Sequence, residues 1–275
     1  MRAMTTSAAA GLYTYAEFGA CALAFLPVMG VMHTLHRGDP TQRVPGQWMR
    51  RFGRTTSRLT PLWRFSVEGP APRDIDRRGY VVVANHESTA DPFLLSSLPW
   101  DMRWVAKEEL FHLPIVGLLM RFGGDIPLQR GSGDSVRTML DECRRTLAAG
   151  MSVMIFPEGT RSPNGALLPF KNGAFELAVS MKAPILPIAV AGTRECRPKG
   201  SQWFGSAKAT AQVLEPIETT ALGADDVAAV REQTRERIAE ALAPLRDRLG
   251  LVRQNGLLDS DPRAERASTS PGARS

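Results

Sequence analysis

Cysteine and histidine are both scarce in this chain of 275 residues, with three of the first and four of the second. Cys21, Cys143 and Cys196 are odd in number and far apart, which excludes a disulfide framework and suits reduced thiols in a cytosol-facing protein. No close His/Cys cluster is available for a structural zinc. Lysine is scarce too, supplying five of the 34 basic residues. The formal charge of +6 is therefore an arginine excess. Such a balance suits nucleic acid, anionic lipid or phosphorylated small molecules without choosing among them. No internal repeat is present. The length allows a sizeable core, and one domain with extra terminal segments is the simplest division.

Residues 12–35 are mostly apolar, interrupted by Glu17, Pro27 and His33. Their cleanest part, residues 18–31, falls short of the roughly 20 residues that cross a bilayer, whereas the wider stretch suffices. A cleaved signal peptide needs a basic start and a small-residue cleavage site, but here the apolar core runs into His33-Thr34-Leu35-His36-Arg37. A membrane-associated helix is expected, either spanning or interfacial, with a buried soluble helix as the competing reading. Arg37, Arg43, Arg50, Arg51, Arg54, Arg58 and Arg64 follow, interleaved with Trp48, Phe52, Leu59 and Trp63 and opposed in their stretch only by Asp39. This pattern suits a helix in an anionic headgroup layer and places that side in the cytoplasm. No nucleic-acid module accompanies the arginines, so RNA is not an expected partner.

Beyond a turn-rich entry at residues 66–78, apolar runs alternate in length and period. Strands are expected at 80–84, 103–106, 126–128, 153–156, 185–190 and 209–214. Helices are expected at 93–98, at 108–122 across Pro114, at 134–149 with Asp134 as its cap, at 175–182, and at 225–249 with a kink or earlier end at Pro244. Alternating strands and helices make the fold α/β. The charged tail from residue 259 reads as disordered.

Two polar loops, each after a buried strand, carry the chemistry. In the first, Asn85-His86-Glu87-Ser88-Thr89-Ala90-Asp91-Pro92, the histidine sits just beyond a strand's carboxyl end. That is where open α/β sheets place ligands. Asp91 is expected both to cap the next helix and to fold back on the imidazole, leaving the second ring nitrogen to take a proton. Alone, the stretch reads equally as an ordinary cap beside a satisfied histidine. In the second loop, Phe156-Pro157-Glu158-Gly159-Thr160-Arg161-Ser162, Gly159 permits a tight turn and Arg161 offers a fork of donors for phosphate oxygens.

With both loops in this order, the chain resembles the glycerolipid acyltransferases, in particular the bacterial 1-acyl-glycerol-3-phosphate acyltransferases. Their Asn-His-x-x-x-x-Asp block is matched by Asn85, His86 and Asp91, and their Phe-Pro-Glu-Gly-x-Arg-Ser block in full by residues 156–162. Gly124 and Arg130 fit a Gly-x-x-Phe-x-x-Arg block in which Pro127 stands where the family usually has Phe. Residues 183–188 fit an apolar block around a proline, and Phe170-Lys171-Asn172-Gly173 lies close to the family's Phe-Lys-x-Gly. The likeness covers about residues 60–215.

The resemblance implies one mixed-sheet acyltransferase domain with helices on both faces (residues 66–250), between N-terminal membrane-associated helices (1–65) and a tail (251–275). It implies His86 as general base oriented by Asp91, with no metal and no cofactor. Arg130 and Arg161 would hold the acceptor's phosphate, helped by Lys107 and Lys171, with Gly159 and Thr160 in the same binding loop. Glu158 would orient Arg161 or bind a glycerol hydroxyl, and amides at the start of the helix after Asp91, or in the loop after Phe156, would hold the oxyanion. The expected partners are a lysophospholipid acceptor, acyl-CoA or acyl-carrier protein as donor, and an anionic membrane surface on the cytoplasmic face. The alternatives are another lysolipid acceptor and, more distantly, a non-catalytic membrane-binding protein.

Overall fold

The computed structural model describes residues 8–197 and 200–251. Seven strands form one sheet in the order β1-β7-β6-β2-β5-β3-β4. They are β1 (Trp63–Glu68), β2 (Val81–Ala84), β3 (Met102–Lys107), β4 (Ile126–Leu128), β5 (Ser152–Ile155), β6 (Ile185–Ala191) and β7 (Ala207–Val213). β2 to β6 run parallel to one another, whereas β7 runs antiparallel to β6 and carries β1 parallel to itself. The sheet is thus mixed, as expected. Five strand ends open on one edge, and every loop singled out in the sequence leaves from that edge.

Alternation along the strands builds a core on each face. Val81 and Val83 point towards α5 (Gly133–Ala148), α6 (Gly173–Met181) and α8 (Val227–Leu249). Tyr80, Val82 and Ala84 point the other way, with Leu94 and Leu95 of α3 (Asp91–Leu95). All three cysteines are free and buried.

Several boundaries differ from the sequence reading. The helix expected over 108–122 is a 3-10 turn, Glu108–His112, followed by α4 (Val116–Gly123). Pro114 breaks it, and Ile115 turns the chain at φ 62°. α5 is capped by Ser132, whose hydroxyl accepts from the Ser135 amide at 3.3 Å, and not by Asp134. α8 continues through Pro244 to Leu249, held by the buried Leu242 and Leu245 on either side of it. β1, a strand in which Trp63 is buried and Phe65 and Val67 are partly buried, crosses the expected boundary at 65/66; its arginine and turn-forming neighbours hid it. The tail expected from 259 lies outside the described residues.

The N-terminal helices are docked on the domain. α1 (Ala8–Leu35) contains a segment, Ala10–Leu35, long and apolar enough to cross a membrane, with only 17% of its most apolar window buried. Phe18 nonetheless packs between Phe93, Phe204 and Trp63 at 4.9, 5.2 and 5.6 Å, and Met29 is fully buried. α2 (Arg43–Leu59) approaches α3 so closely that a Cβ on Gly53 would meet Ser96 Oγ at 2.4 Å.

The seven arginines expected at the headgroups divide accordingly. Arg50 is buried against Asp125 at 3.0 Å and over the Trp104 ring, and Arg54 donates to the carbonyls of Ser96 and Leu98. Arg43 pairs with Asp76. Arg37, Arg51, Arg58 and Arg64 remain exposed. A helix with one face docked on protein turns part of its charge inward, which a linear list of arginines does not reveal.

Candidate active site

The end of β2 shows how the first loop leaves the sheet. Asn85 copies a backbone pair with its side chain: Nδ2 donates to the Val190 carbonyl and Oδ1 accepts from the Val190 amide, each at 2.8 Å. Only a side-chain amide carries donor and acceptor in that arrangement. The β2–β6 ladder is completed while the main chain turns outward at His86.

Asp91, fully buried, gathers the loop around itself. Its Oδ2 accepts from His86 Nδ1 at 2.6 Å and from the amides of Glu87 and Ser88 at 2.9 and 3.1 Å. Its Oδ1 accepts from the Thr193 hydroxyl. The expected fold-back on the imidazole is present. The expected cap is not, because the bonds go to amides before α3 and none to its first turn. An ionised carboxylate only accepts, so Nδ1 carries the hydrogen and Nε2 is the basic nitrogen of the neutral ring. The ring stacks on Phe156 with centroids 4.1 Å apart.

Glu158 braces the two loops from below. It accepts from the His86 amide at 2.7 Å and the Leu168 amide at 3.2 Å, while Ser162 donates its amide to the His86 carbonyl at 2.9 Å. With both oxygens taken and the residue 5% exposed, Glu158 supports the loops and does not reach outward for a hydroxyl. Burial pushes its carboxyl up to about 7. Of the amides expected for an oxyanion, those of Phe93 and Leu94 are committed to the Ala90 carbonyl and that of Gly159 to the Phe156 carbonyl.

Basic groups converge on the same edge unevenly. Arg161 is half-buried, and burial, with the nearby charges of Arg197 and Arg130, pulls its pKa down. Lys171 is exposed but lies across Gly159, where a Cβ would sit 2.9 Å from its ammonium nitrogen; with φ at 67°, only glycine suits that position. Thr160 is half-exposed in the same loop. Arg130 is exposed beyond β4. Lys107, at the end of β3, is turned to Glu109 at 2.9 Å.

Three residues near the pair were not anticipated: Thr193, Arg197 and Arg246. Arg197 contributes its carbonyl to Ser88 Oγ at 3.0 Å and lays its guanidinium over Phe204. A threonine and an arginine after a buried strand were visible in the sequence, but nothing local says they return to His86. Among the described residues, no group of three or more His, Cys, Asp or Glu side chains is placed to hold a metal.

Residues 64–191 match a family model described as Acyltransferase. The chain is 40% identical over 169 residues to 1-acyl-sn-glycerol-3-phosphate acyltransferase beta of Homo sapiens, covering 61% of this chain and 60% of that protein. It is 37% identical over 158 residues to the alpha enzyme of Ovis aries, covering 57% and 55%. The chain thus spans little more than half the length of the curated relatives it matches. Among solved structures, the 1-acyl-sn-glycerophosphate (LPA) acyltransferase PlsC from Thermotoga maritima superposes with a TM-score of 0.69 at 26% identity, over 86% of this chain and 97% of that one.

Proposed function

We propose that residues 64–191, which match the Acyltransferase family model, are a catalytic domain, and that the chain moves a fatty acyl group from an acyl thioester to the free hydroxyl of 1-acylglycerol 3-phosphate, giving phosphatidic acid. The observation that carries the reading is the His86–Asp91 pair at 2.6 Å, held by buried donors at the open edge of five strands. His86 Nε2 takes the hydroxyl proton as that oxygen attacks the thioester carbonyl. Asp91 keeps the tautomer and stabilises the imidazolium. Collapse of the tetrahedral centre expels the thiolate of CoA or acyl-carrier protein, which recovers the proton from His86. No covalent acyl-protein is required.

Arg161, Arg130, Lys171 and Arg197 form a basic rim suited to the acceptor's phosphate. The relatives' printed names, which specify the 1-acylglycerol phosphate acceptor, support the same choice. Attachment to the cytoplasmic face of a membrane is part of the proposal. The outer face of α1, with Leu12, Leu23, Val31 and Leu35 exposed, meets acyl chains, and the exposed arginines meet anionic headgroups.

The test incubates the purified full-length protein in anionic vesicles with labelled acyl-CoA or acyl-carrier protein and a panel of lysolipids. Labelled phosphatidic acid, formed faster than any other product, is expected. A stronger preference for a lyso-aminolipid or another lysophospholipid would move the acceptor assignment, and no transfer to any lysolipid would sink the reading.

A further inference from the structure

We propose that Arg246, in the last turn of α8, is a positioning residue for the His86–Asp91 pair and acts through the buried carboxylate of Glu87. The inference rests on the acyltransferase reading but uses a residue outside the matched domain, residues 64–191. Glu87 follows His86 directly, and its side chain runs beneath the loop. Oε1 accepts from Arg246 Nη2 at 3.0 Å, and Oε2 accepts from the Gly192 amide at 3.0 Å. The same Arg246 nitrogen donates to the Gly165 carbonyl, three residues beyond the second candidate loop. Gly192 in turn precedes Thr193, whose hydroxyl holds Asp91 Oδ1.

One carboxylate thus joins three segments that meet at the pair: α8, the end of β6, and the loop that carries His86. Its backbone amide is also one of the donors to Asp91 Oδ2, the oxygen that accepts the hydrogen bond from imidazole Nδ1. A shift of Glu87 therefore moves a hydrogen bond that shares its acceptor with His86. Burial alone would push the Glu87 carboxyl towards its neutral form, with the Asp91 charge acting the same way, and the guanidinium opposes both. α8 already has an apolar anchor in Ile238, Leu242 and Leu245, all buried. A buried ion pair adds little to stability over good apolar packing. Its place directly behind the candidate base points to alignment of that base.

The experiment compares full-length wild type, Arg246→Met, Glu87→Gln and the double variant, with steady-state kinetics in vesicles and amide exchange of the 86–92 segment. Arg246→Met leaves a buried carboxylate without its cation, so kcat should fall at least 10-fold while both KM values stay within twofold. Amide exchange at Glu87 and Ser88 should quicken by a similar factor, with β2 and β5 unchanged. Because both changes break the same link, adding Glu87→Gln should lower kcat by less than a further threefold. If Arg246→Met does not fold, Arg246→Lys takes its place: a kcat loss at constant KM supports the role, and wild-type kcat overturns it. Wild-type kinetics in a folded Arg246→Met, or fully additive losses of kcat in the double variant, overturns the proposal. An inactive wild type with quickened exchange in Arg246→Met would instead count against the acyl-transfer reading alone.

Discussion

The imidazole of His86 lies nearly parallel to the ring of Phe156, with centroids 4.1 Å apart and planes inclined by 21°. The ring proposed to take the proton is therefore gripped edge-on by Asp91 and face-on by a residue of the second loop. Phe156→Leu keeps an apolar side chain but removes the flat platform. It should lower kcat by about 10-fold with little change in either KM, because a misaligned base loses transition-state stabilisation and not ground-state binding. A variant with wild-type kcat would make Phe156 a packing residue only.

His86→Ala should abolish transfer in a protein that still folds and binds vesicles, since the ring is partly exposed and bears no core load. Asp91→Asn should cost on the order of 10³–10⁴-fold in kcat, as when other imidazole bases lose their orienting carboxylate. Asp91→Ala adds a stability cost that has nothing to do with helix capping. It strands the amides of Glu87 and Ser88 and the Thr193 hydroxyl, at about 1–3 kcal/mol for a buried unsatisfied group. Equal melting curves for Asp91→Ala and wild type would contradict the network drawn here.

Glu158 and Glu87 are each pushed up to about 7, chiefly by burial. A carboxyl whose folded value exceeds its unfolded one binds more protons folded than unfolded between the two. Its contribution to stability therefore falls as pH rises through that window, from about 4.5 to about 7. Asp101 and Asp125 are raised for the same reason and act with the same sign. The thermal midpoint should thus drop between pH 5 and pH 8, and Glu158→Gln should flatten the drop. Parallel midpoint-against-pH curves for variant and wild type would show that Glu158 does not titrate there.

Arg161→Lys keeps the charge and loses the paired donors, so it should raise KM for the lysolipid more than KM for the acyl donor, by roughly 10-fold. The reverse ratio would assign Arg161 to the phosphates of CoA. Lys107→Ala, at a side chain already paired with Glu109, should change either KM less than twofold.

What could be read in the sequence was whatever depends on short spacing. Asp91 lies five positions after His86, and one loop of seven carries Glu158 and Arg161, so both groups and their strands were legible. The sheet edge they share was legible too, because parallel strands put their ends together. What is bonded across long separations was not. Thr193 reaches Asp91 from 102 residues away and Arg246 reaches Glu87 from 159, through the placement of β6 and α8. Asp91 was misread as a cap because Asp-Pro at a helix start is ordinary, whereas here four donors bind its carboxylate and none lies in the helix. Arg50 and Arg54 were misread as headgroup ligands because only the docked face of α2 tells which arginines turn inward.

α1 allows its two faces to be tested separately. Phe18, Cys21 and Met29 pack against the domain and α2, whereas Leu23, Val31 and Leu35 stand 59%, 53% and 70% exposed. Deleting the helix would uncover Trp63, Phe93 and Phe52 and confuse loss of fold with loss of membrane binding. Leu23→Gln with Val31→Gln alters only the outer face. It should leave the melting curve within about 0.5 kcal/mol of wild type, as surface changes do, while releasing much of the protein from vesicles. Phe18→Ala should do the opposite, lowering stability by about 3 kcal/mol through a lost aromatic contact and its cavity while vesicle binding persists. High salt screens only the exposed Arg37, Arg51, Arg58 and Arg64, so it should weaken wild-type binding without abolishing it, and it should complete the release of the double glutamine variant. A double variant that stays on vesicles in high salt would show that the outer face of α1 is not the membrane contact.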